Sequence, residues 1–526
     1  LPAVPADTAA LTSDKRGDEM TTTYLDLILR GARAYPDRIA VKVGDEAFTF
    51  SQVDTLSSQL AQALMACGAR PGARIALLVN NGIHSVPVDF ACVKAGINRV
   101  PLNSRLSLAE HARMLADVQV SHLVFGSDLV ERAAELAGAV PGLICHGLGA
   151  RITGGSDLLQ DAANYSGESP RVQAPDDEIV LTLFTSGTTG TLKAAQHSQA
   201  SYAGICENVL LNLGDIQHQD SMLHAASLIH ASGVFVLPYW LRGARTVIMP
   251  GFDPGLFLKL IADERITAVN MVPTMLQMLL GHPGFASTDV SSLRKVIYGA
   301  SPMPRPVIQQ AMAIWGRERF WQYYGQTECP LTIAVLRPED HEDELLGACG
   351  RPSIDVEIRL VNETGEDVPA GEPGEIAVRG PSLMTGYYNA DALNQEMWMD
   401  GGWLRTRDIG MFDERGYLHL KDRTSDMIIT GGYNVYPREI EEVLISHSAV
   451  AECAAVGLKD EKWVEAVTVA VALKSGQQAS EQELIDFVAE RVASYKKPRR
   501  IVFVDAVPKT AVGKLNRRAL REMLNS

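Results

Sequence analysis

Near the middle of the chain a short apolar run, Glu178-Ile179-Val180-Leu181-Thr182-Leu183-Phe184, breaks into Thr185-Ser186-Gly187-Thr188-Thr189-Gly190-Thr191-Leu192-Lys193. The run has the length and the β-branched content of a buried strand. A strand that gives way to hydroxyls and glycines and closes on a lysine suits phosphate. Glycine lets the backbone approach an anion and tolerates positive φ, so successive N–H groups converge on one point. The Ser and Thr hydroxyls add donors, and Lys193 adds a point charge. It is not a Walker A loop: no Gly-Lys-Ser/Thr closes it, and Lys193 stands three residues past Gly190. For the loop alone, a plain surface turn stays open as the alternative.

On both sides of this strand, helical and strand patterns alternate. Residues 39–43 and 48–50 about Gly44-Asp45 read as a hairpin. Residues 51–67 read as an amphipathic helix with Ser51 as N-cap and Gly68 just past its end, followed by a strand at 74–79 and a helix at 85–94. Residues 153–177 read as a loop. After the central strand come strands at 222–227, 246–249, 268–271 and 296–298, with helices at 234–241, 255–264 and 274–280. Such alternation predicts an α/β fold whose parallel sheets carry helices on both faces, here two doubly wound subdomains. Beyond about Glu344, short strands and turns such as Asn362-Glu363-Thr364-Gly365 predict a β-rich subdomain. From about Lys421 a small α+β domain follows. It has a helix at 437–446 that starts on Pro437 with glutamates early, a strand at 466–473, a helix at 481–492 and a basic tail. We therefore expect a disordered leader over 1–20, a large N-terminal domain over 21–422 and a small C-terminal domain over 423–526.

With 526 residues, roughly two to four domains are expected. A net charge of −15 argues against a nucleic-acid partner. The seven cysteines (67, 92, 145, 206, 329, 349, 453) show no Cys-x-x-Cys and no metal spacing, which suits free thiols in a reducing, cytoplasmic setting. No apolar run reaches the ~18 residues of a membrane span, so no stable membrane insertion is expected. Residues 1–19 lack a continuous apolar stretch and read as a leader or added remnant, with Met20 as a natural start.

Further stretches fall in line with one family: Tyr324-Gly325-Gln326-Thr327-Glu328, then Trp403-Leu404-Arg405-Thr406-Arg407-Asp408 and Asp422-Arg423. After them come Gly431-Gly432-Tyr433-Asn434-Val435-Tyr436-Pro437-Arg438-Glu439 and Pro508-Lys509-Thr510-Ala511-Val512-Gly513-Lys514. Together with the glycine–threonine loop these resemble the acyl-adenylate-forming superfamily of acyl-CoA and aryl-CoA synthetases, peptide-synthetase adenylation domains and beetle luciferases. The resemblance spans roughly residues 22–521.

It implies a two-step reaction. A carboxylate attacks the α-phosphate of Mg-ATP to give an acyl-adenylate and pyrophosphate, and a thiol then displaces AMP. The first step brings two anions together, so catalysis must come from positioning and charge neutralisation. Thr185, Ser186, Gly187, Thr188, Thr189, Gly190 and Lys193 would cradle phosphates. Glu328 resembles the Mg²⁺ ligand, and magnesium takes few carboxylates and keeps waters. Thr327 would contact the α-phosphate; Gly299, Ala300, Ser301, Tyr324 and Gly325 would line the adenine or acyl site. Asp408 matches the aspartate that accepts from both ribose hydroxyls, Arg423 the arginine that supports ribose and phosphate, and Lys514 the mobile lysine between carboxylate and α-phosphate. His230 resembles the pocket histidine near the reacting carboxylate, with Ala231, Ser232, Gln326 and Cys329 expected around the acyl group. For the second step the small domain would swing about a hinge near residues 423–426 and present Gly431, Gly432 and Tyr433 to pantetheine. Trp463 would stack on the CoA adenine, and Lys496, Lys497, Arg499 and Arg500 would meet its phosphates. For that basic cluster a solvated helix end is the alternative.

The chain also departs from the family pattern. Leu192-Lys193-Ala194 stands for Pro-Lys-Gly, Ser198-Gln199 for Thr-His, Ser425 for the hinge Asp or Lys, and Val464 for the Gly of Trp-Gly-Glu. Leu228–Gly233 holds no carboxylate to anchor an amino acid, and the chain runs 12 residues past Lys514 with no fused carrier domain. The resemblance thus implies a ligase joining a hydrophobic aromatic or fatty acid to CoA, with ATP and Mg²⁺; a homodimer is left open. The alternatives are an amide bond synthetase that passes the adenylate to an amine, and a catalytically silent nucleotide-binding protein.

Overall fold

The strand Ile179–Thr185 lies parallel to Asn98–Pro101 on one side and antiparallel to Lys193–Ser198 on the other. Lys193 is therefore not at the end of a free loop: it stands directly across from Thr185. This computed structural model describes residues 22–185, 192–430, 433–460, 463–510 and 514–525. The expected leader and residues 186–191, 431–432 and 511–513 lie outside them.

Among the described residues there are four sheets. The first runs Gly386–Tyr387, Lys193–Ser198, Ile179–Thr185, Asn98–Pro101, Arg74–Leu78, His122–Gly126, Ile144–Leu148, Ser156–Asp157. The second has six strands that are parallel in sequence of pairing: Phe320–Tyr324, Lys295–Gly299, Ala268–Met271, Ser221–His224, Arg245–Ile248 and Ile39–Val43; antiparallel strands close both edges. One core joins the two sheets. It combines Val180 of the first, Val41 and Ile248 of the second, and Tyr24, Phe50, Phe90, Tyr202 and Trp240 from five helices. A helical layer is therefore shared between the sheets, and burying apolar area on both sides fixes their relative position.

The third sheet is antiparallel: Glu357–Val361, Gly374–Arg379, Trp403–Phe412, Trp398–Met399, with Leu418–Arg423 beside Trp403–Phe412. Its Ile376, Val378, Leu404 and Leu418 pack with Ala195 and Tyr387 of the first sheet and Tyr324 of the second. Three sheets thus meet where the conspicuous motifs end. In the small domain, Val450–Asp460 and Val464–Leu473 pair along their length, with Arg500–Phe503 parallel to the latter. The helices Pro437–Ile445 and Glu481–Ala489 cover one face, and Leu520 of the helix Arg517–Asn525 joins a smaller core. The α/β class, with a large N-terminal and a small C-terminal domain, is as the sequence implied. Among the described residues no helix is long and apolar enough to cross a membrane.

Several local expectations shift. The helix expected at 51–67 is Phe50–Ala66, and its cap is Thr49, not Ser51. Thr49 and Gln52 exchange hydrogen bonds in a capping box, which satisfies two donors where Ser51 would satisfy one. The helix expected at 234–241 comes as Ala231–Val234 and Val236–Leu241. The loop expected at 153–177 contains Ser156–Asp157 and the short helix Leu158–Ala162, capped by Asp157. The basic tail ends in the helix Arg517–Asn525.

Four imidazoles, His146, His197, His224 and His341, are buried, and burial pushes each pKa down to about 4. The unfolded rings titrate near 6.5, so between that value and about 4 the unfolded chain binds protons that the folded chain refuses. Stability is complete above the unfolded pKa and falls as pH drops through this window. At pH 5 each ring is expected to contribute a loss of about 2 kcal/mol. Urea unfolding at pH 7 and pH 5 checks this; a midpoint that does not fall contradicts it.

Candidate active site

The strands Ser221–His224, Ala268–Met271, Lys295–Gly299 and Phe320–Tyr324 are parallel neighbours, so their carboxyl ends open on the same side. Two glycines there are obligatory. A Cβ on Gly299 would stand 2.4 Å from the Tyr323 carbonyl oxygen, and one on Gly325 2.2 Å from that of Leu331. Ala300, next to Gly299, holds φ at 65°, a left-handed conformation unusual for alanine. The turn after Tyr324 closes on itself, with the Gln326 N–H donating to the Cys329 carbonyl (3.0 Å) and Ile333 N–H to that of Tyr324 (2.7 Å).

Asp408 is buried (2% exposed) in the strand Trp403–Phe412, just after Arg407 with φ 61°. Its Oδ2 accepts from the Tyr324 hydroxyl at 2.6 Å and from the Gln326 amide at 2.5 Å. Arg423, its cross-strand partner, brings Nε to 3.4 Å from Oδ1. Gln326 also donates to the Thr406 carbonyl at 2.8 Å. Its amide is therefore committed to the aspartate side and not to the acyl pocket where we expected it. Cys329 needs a second correction: its thiol packs in the core with Ile333, Ala334 and Met384, 3.7 Å from the Ser382 hydroxyl.

Glu328 accepts a short hydrogen bond from the Tyr387 hydroxyl. Tyr387 sits on the strand paired with Lys193–Ser198, and the Lys193 ammonium lies 5.6 Å from its ring centroid. This tyrosine links the lysine of the glycine–threonine loop to the motif glutamate, and nothing in the sequence pattern marked it. The Thr327 backbone is held by buried His197, whose Nε2 lies 2.8 Å from the Thr327 carbonyl. Donation there fixes a neutral tautomer.

His230 heads the short helix Ala231–Val234, where Gly233 folds so tightly onto Leu228 that a Cβ would stand 1.9 Å from its carbonyl oxygen. The His230 Nε2 is buried without a hydrogen-bond partner. Burial pushes its pKa to about 4, and nearby Lys514 pushes the same way. Lys514 comes from the small domain, where its carbonyl accepts from the Thr510 N–H and its own N–H donates to the Thr510 hydroxyl. It is exposed to solvent, with enough protein around its ammonium to desolvate it in part. That desolvation lowers its pKa first and Arg423 adds to the fall, while Asp408 and Glu328 oppose it. Five groups far apart in sequence, His230, Glu328, Asp408, Arg423 and Lys514, thus share one electrostatic neighbourhood.

The residues expected to meet CoA are engaged within the small domain. Tyr433 stacks on Tyr495 at 4.6 Å, Lys496 pairs with Glu439 at 2.5 Å, and the Arg499 guanidinium lies 4.3 Å over the Trp463 ring. Lys497 is half-buried, and Gly431 and Gly432 lie outside the described residues, as do Ser186, Gly187, Thr188, Thr189 and Gly190. The stretch expected to act as the hinge is a turn, with Asp426 and Met427 N–H groups donating to the Arg423 carbonyl at 3.0 and 3.2 Å and Ser425 exposed. Val464, where the family has glycine, holds φ at 70° and is 63% exposed. A β-branched residue is strained there and packs against little. Val464→Gly is expected to stabilise the small domain by about 1 kcal/mol, net of glycine's entropy. Calorimetric unfolding measures it; a lowered midpoint contradicts it.

Residues 28–388 match the AMP-binding enzyme family and residues 439–514 the AMP-binding enzyme C-terminal domain. A feruloyl-CoA synthase of Amycolatopsis sp is 36% identical over 493 residues, 93% of this chain and 96% of that protein. A medium/long-chain-fatty-acid–CoA ligase of Mycobacterium tuberculosis is 35% identical over 94% of this chain and 89% of its own. Among solved structures, the amide bond synthetase McbA from Marinactinospora thermotolerans superposes with a TM-score of 0.88 at 31% identity, covering 95% of this chain and 99% of that one. The O-succinylbenzoate coenzyme A synthetase from Bacillus subtilis, in complex with AMP, gives 0.82 at 30% identity, covering 94% and 98%. Matched in both domains and along most of its length, the chain belongs to the AMP-binding enzyme family.

Proposed function

We infer that this protein is an ATP-dependent, AMP-forming carboxylic acid–CoA ligase that activates a hydrophobic aromatic or fatty acid as its adenylate and transfers the acyl group to CoA. What supports this reading is that Lys514 of the small domain stands within electrostatic reach of Arg423, Asp408, Glu328 and His230. Two anions, a carboxylate and a triphosphate, approach each other only where cations stand ready, and the cluster supplies two. In this reading the large domain spans 21–422 and the small one 423–526.

Lys193 and the glycine–threonine loop bind the outer phosphates. Asp408 holds the ribose, its carboxylate oriented by Tyr324 and Gln326, and Arg423 bridges ribose and phosphate. Thr327, its backbone fixed by His197, meets the α-phosphate. Neutral His230, with a nitrogen to spare, orients the acid, and Lys514 draws its carboxylate onto phosphorus while stabilising the charge that develops. Lys514 then leaves with the small domain so that Gly431, Gly432 and Tyr433 admit the thiol.

Among the described residues no group of three His, Cys, Asp or Glu could hold a metal. A lone Glu328, steadied by Tyr387, instead fits Mg²⁺, which takes one or two carboxylates beside substrate phosphates. Bound there, Mg²⁺ would neutralise phosphate charge. All seven cysteines are free thiols, consistent with a cytoplasmic setting.

Pyrophosphate release assayed against a panel of acids tests the first step and is expected to need acid, ATP and Mg²⁺ together. Acyl-CoA formed on adding CoA tests the second. The similarity to an amide bond synthetase keeps a second reading in view. An amide formed from added amine, with no thioester from CoA, would decide for it; no release with any acid would leave a silent nucleotide-binding protein.

A further inference from the structure

We propose that Tyr387 is a positioning residue with two separable parts: its hydroxyl sets the Glu328 carboxylate for Mg²⁺, and its ring seats the Lys193 ammonium for phosphate. This rests on the reading above in taking Glu328 as the metal ligand and Lys193 as a phosphate ligand. It adds the side chain that ties the two together without itself being a ligand.

Glu328 is anchored at both of its peptide units. On one side His197, from the strand Lys193–Ser198, bonds the Thr327 carbonyl; on the other the Met384 N–H donates to the Glu328 carbonyl at 2.8 Å. Met384 opens a short segment that runs on as an extra edge beside that same strand. The Thr385 N–H donates to the Gln196 carbonyl at 2.8 Å and the Tyr388 N–H to that of Ala194 at 2.9 Å, with Tyr387 opposite Ala195. The segment 384–388 therefore grips the glutamate at its start and the lysine's strand along its length.

Within the segment Tyr387 is pinned. The Asn394 Oδ1 accepts from the Tyr387 N–H at 2.8 Å and the Asn394 amide donates to the Tyr387 carbonyl at 2.9 Å, so one side chain takes up both backbone groups. The ring is buried (4% exposed) in one core with Ala195, Tyr324 and Met384. Backbone and ring being fixed, the hydroxyl has one direction open to it. A carboxylate only accepts, so Tyr387 donates to one oxygen of Glu328. Among the described residues no other side chain hydrogen-bonds to this carboxylate, which leaves its second oxygen for the metal.

The ring face makes the other contact. The Lys193 ammonium lies 5.6 Å from its centroid, within the range of cation–π attraction. A carboxylate already held by a fixed donor loses less freedom on binding a metal, and removing such an outer partner typically weakens metal binding about 10–100-fold. Hydroxyl and ring use different parts of one side chain, so each can be removed without the other.

The test reads Mn²⁺ binding by electron paramagnetic resonance, with the full-length enzyme saturated with α,β-methylene-ATP, whose bridging carbon prevents cleavage. Tyr387→Phe keeps the ring and deletes the hydroxyl. It is expected to weaken Mn²⁺ binding about tenfold or more, while binding of the analogue in EDTA, followed by calorimetry, stays within about twofold of the unaltered enzyme. Tyr387→Leu removes the ring as well and is expected to weaken that metal-free binding about two- to fivefold. Asn394→Ala, which frees the backbone but leaves the hydroxyl, should weaken Mn²⁺ binding in the same direction. In turnover, Tyr387→Phe should raise KM for Mg²⁺ and recover most of kcat at high Mg²⁺, a split that a merely loosened fold would not produce. Mn²⁺ binding unchanged or tighter in Tyr387→Phe overturns the hydroxyl's part, and metal-free binding unchanged in Tyr387→Leu overturns the ring's. Because no acid enters the binding measurements, the two readings separate. The expected binding pattern with no pyrophosphate from any acid would sink the ligase and keep the positioning; normal release with Mn²⁺ binding indifferent to the hydroxyl would do the reverse.

Discussion

Replacing Lys514 by alanine is expected to slow adenylate formation by about 10²–10³-fold, the scale seen when one pre-organised charge or donor is taken from a developing oxyanion. The same variant should convert supplied acyl-adenylate and CoA to thioester at close to the normal rate. The asymmetry follows from where the ammonium stands. In this structure it feels His230, Arg423, Asp408 and Glu328 at once, an arrangement that serves the approach of carboxylate to phosphate. Its depressed pKa reflects desolvation and Arg423, so an incoming anion gains the interaction at little reorganisation. Its backbone is held by bonds to the Thr510 N–H and hydroxyl, and the residue is exposed, so the substitution should change stability by less than about 0.5 kcal/mol. Single-turnover pyrophosphate release and thioester formation, measured side by side, decide it. Equal loss in both steps would remove Lys514 from the role given to it.

What the sequence made legible were residues whose chemistry is announced by their neighbours in the chain. Lys514, Asp408 and Glu328 each sit in a stretch with its own pattern, and the alternation of strands and helices gave the two sheets. Contacts made across the fold were not legible. Tyr387 reaches Glu328 over 59 residues, with no spacing to betray it. Gln326 and Cys329 bracket Thr327 and Glu328 in sequence, yet one amide turns to Asp408 and one thiol into the core; a turn sends neighbours in different directions. Ser51 lost the helix cap to Thr49 because the glutamine that completes a capping box lies three residues after the threonine. The strand Val450–Asp460 escaped notice because its alanines and glycine carry little β signal; pairing with Val464–Leu473 makes it a strand. Val464 was legible as an oddity, and its φ supplies the reason a glycine belongs there.

Asp408→Asn is the second large effect. The carboxylate collects two donors on Oδ2, the Tyr324 hydroxyl and the Gln326 amide, and faces Arg423 from Oδ1. An amide keeps the shape but has one oxygen and one NH₂. If the NH₂ replaces Oδ2, it confronts two donors; if it replaces Oδ1, it confronts a guanidinium. Either way at least one charge-assisted hydrogen bond is lost, each with a contribution of about 1.5–3 kcal/mol. Arg423 is about half exposed (47%), so its share is screened and adds little. The loss should divide in two. Some appears as stability, because a buried polar group is left mismatched. The rest appears at the nucleotide, where kcat/KM for ATP is expected to fall by about 10–100-fold, equivalent to roughly 1.4–2.7 kcal/mol. KM for the acid, which in the proposed function is held at the His230 end, should move far less. Initial rates of pyrophosphate release with ATP and acid varied in turn separate the two substrates, and a urea midpoint reports the fold. A variant whose defect lies in the acid KM while ATP binds normally would place Asp408 outside the nucleotide site, and the roles given to Tyr324 and Gln326 as its orienting partners would go with it.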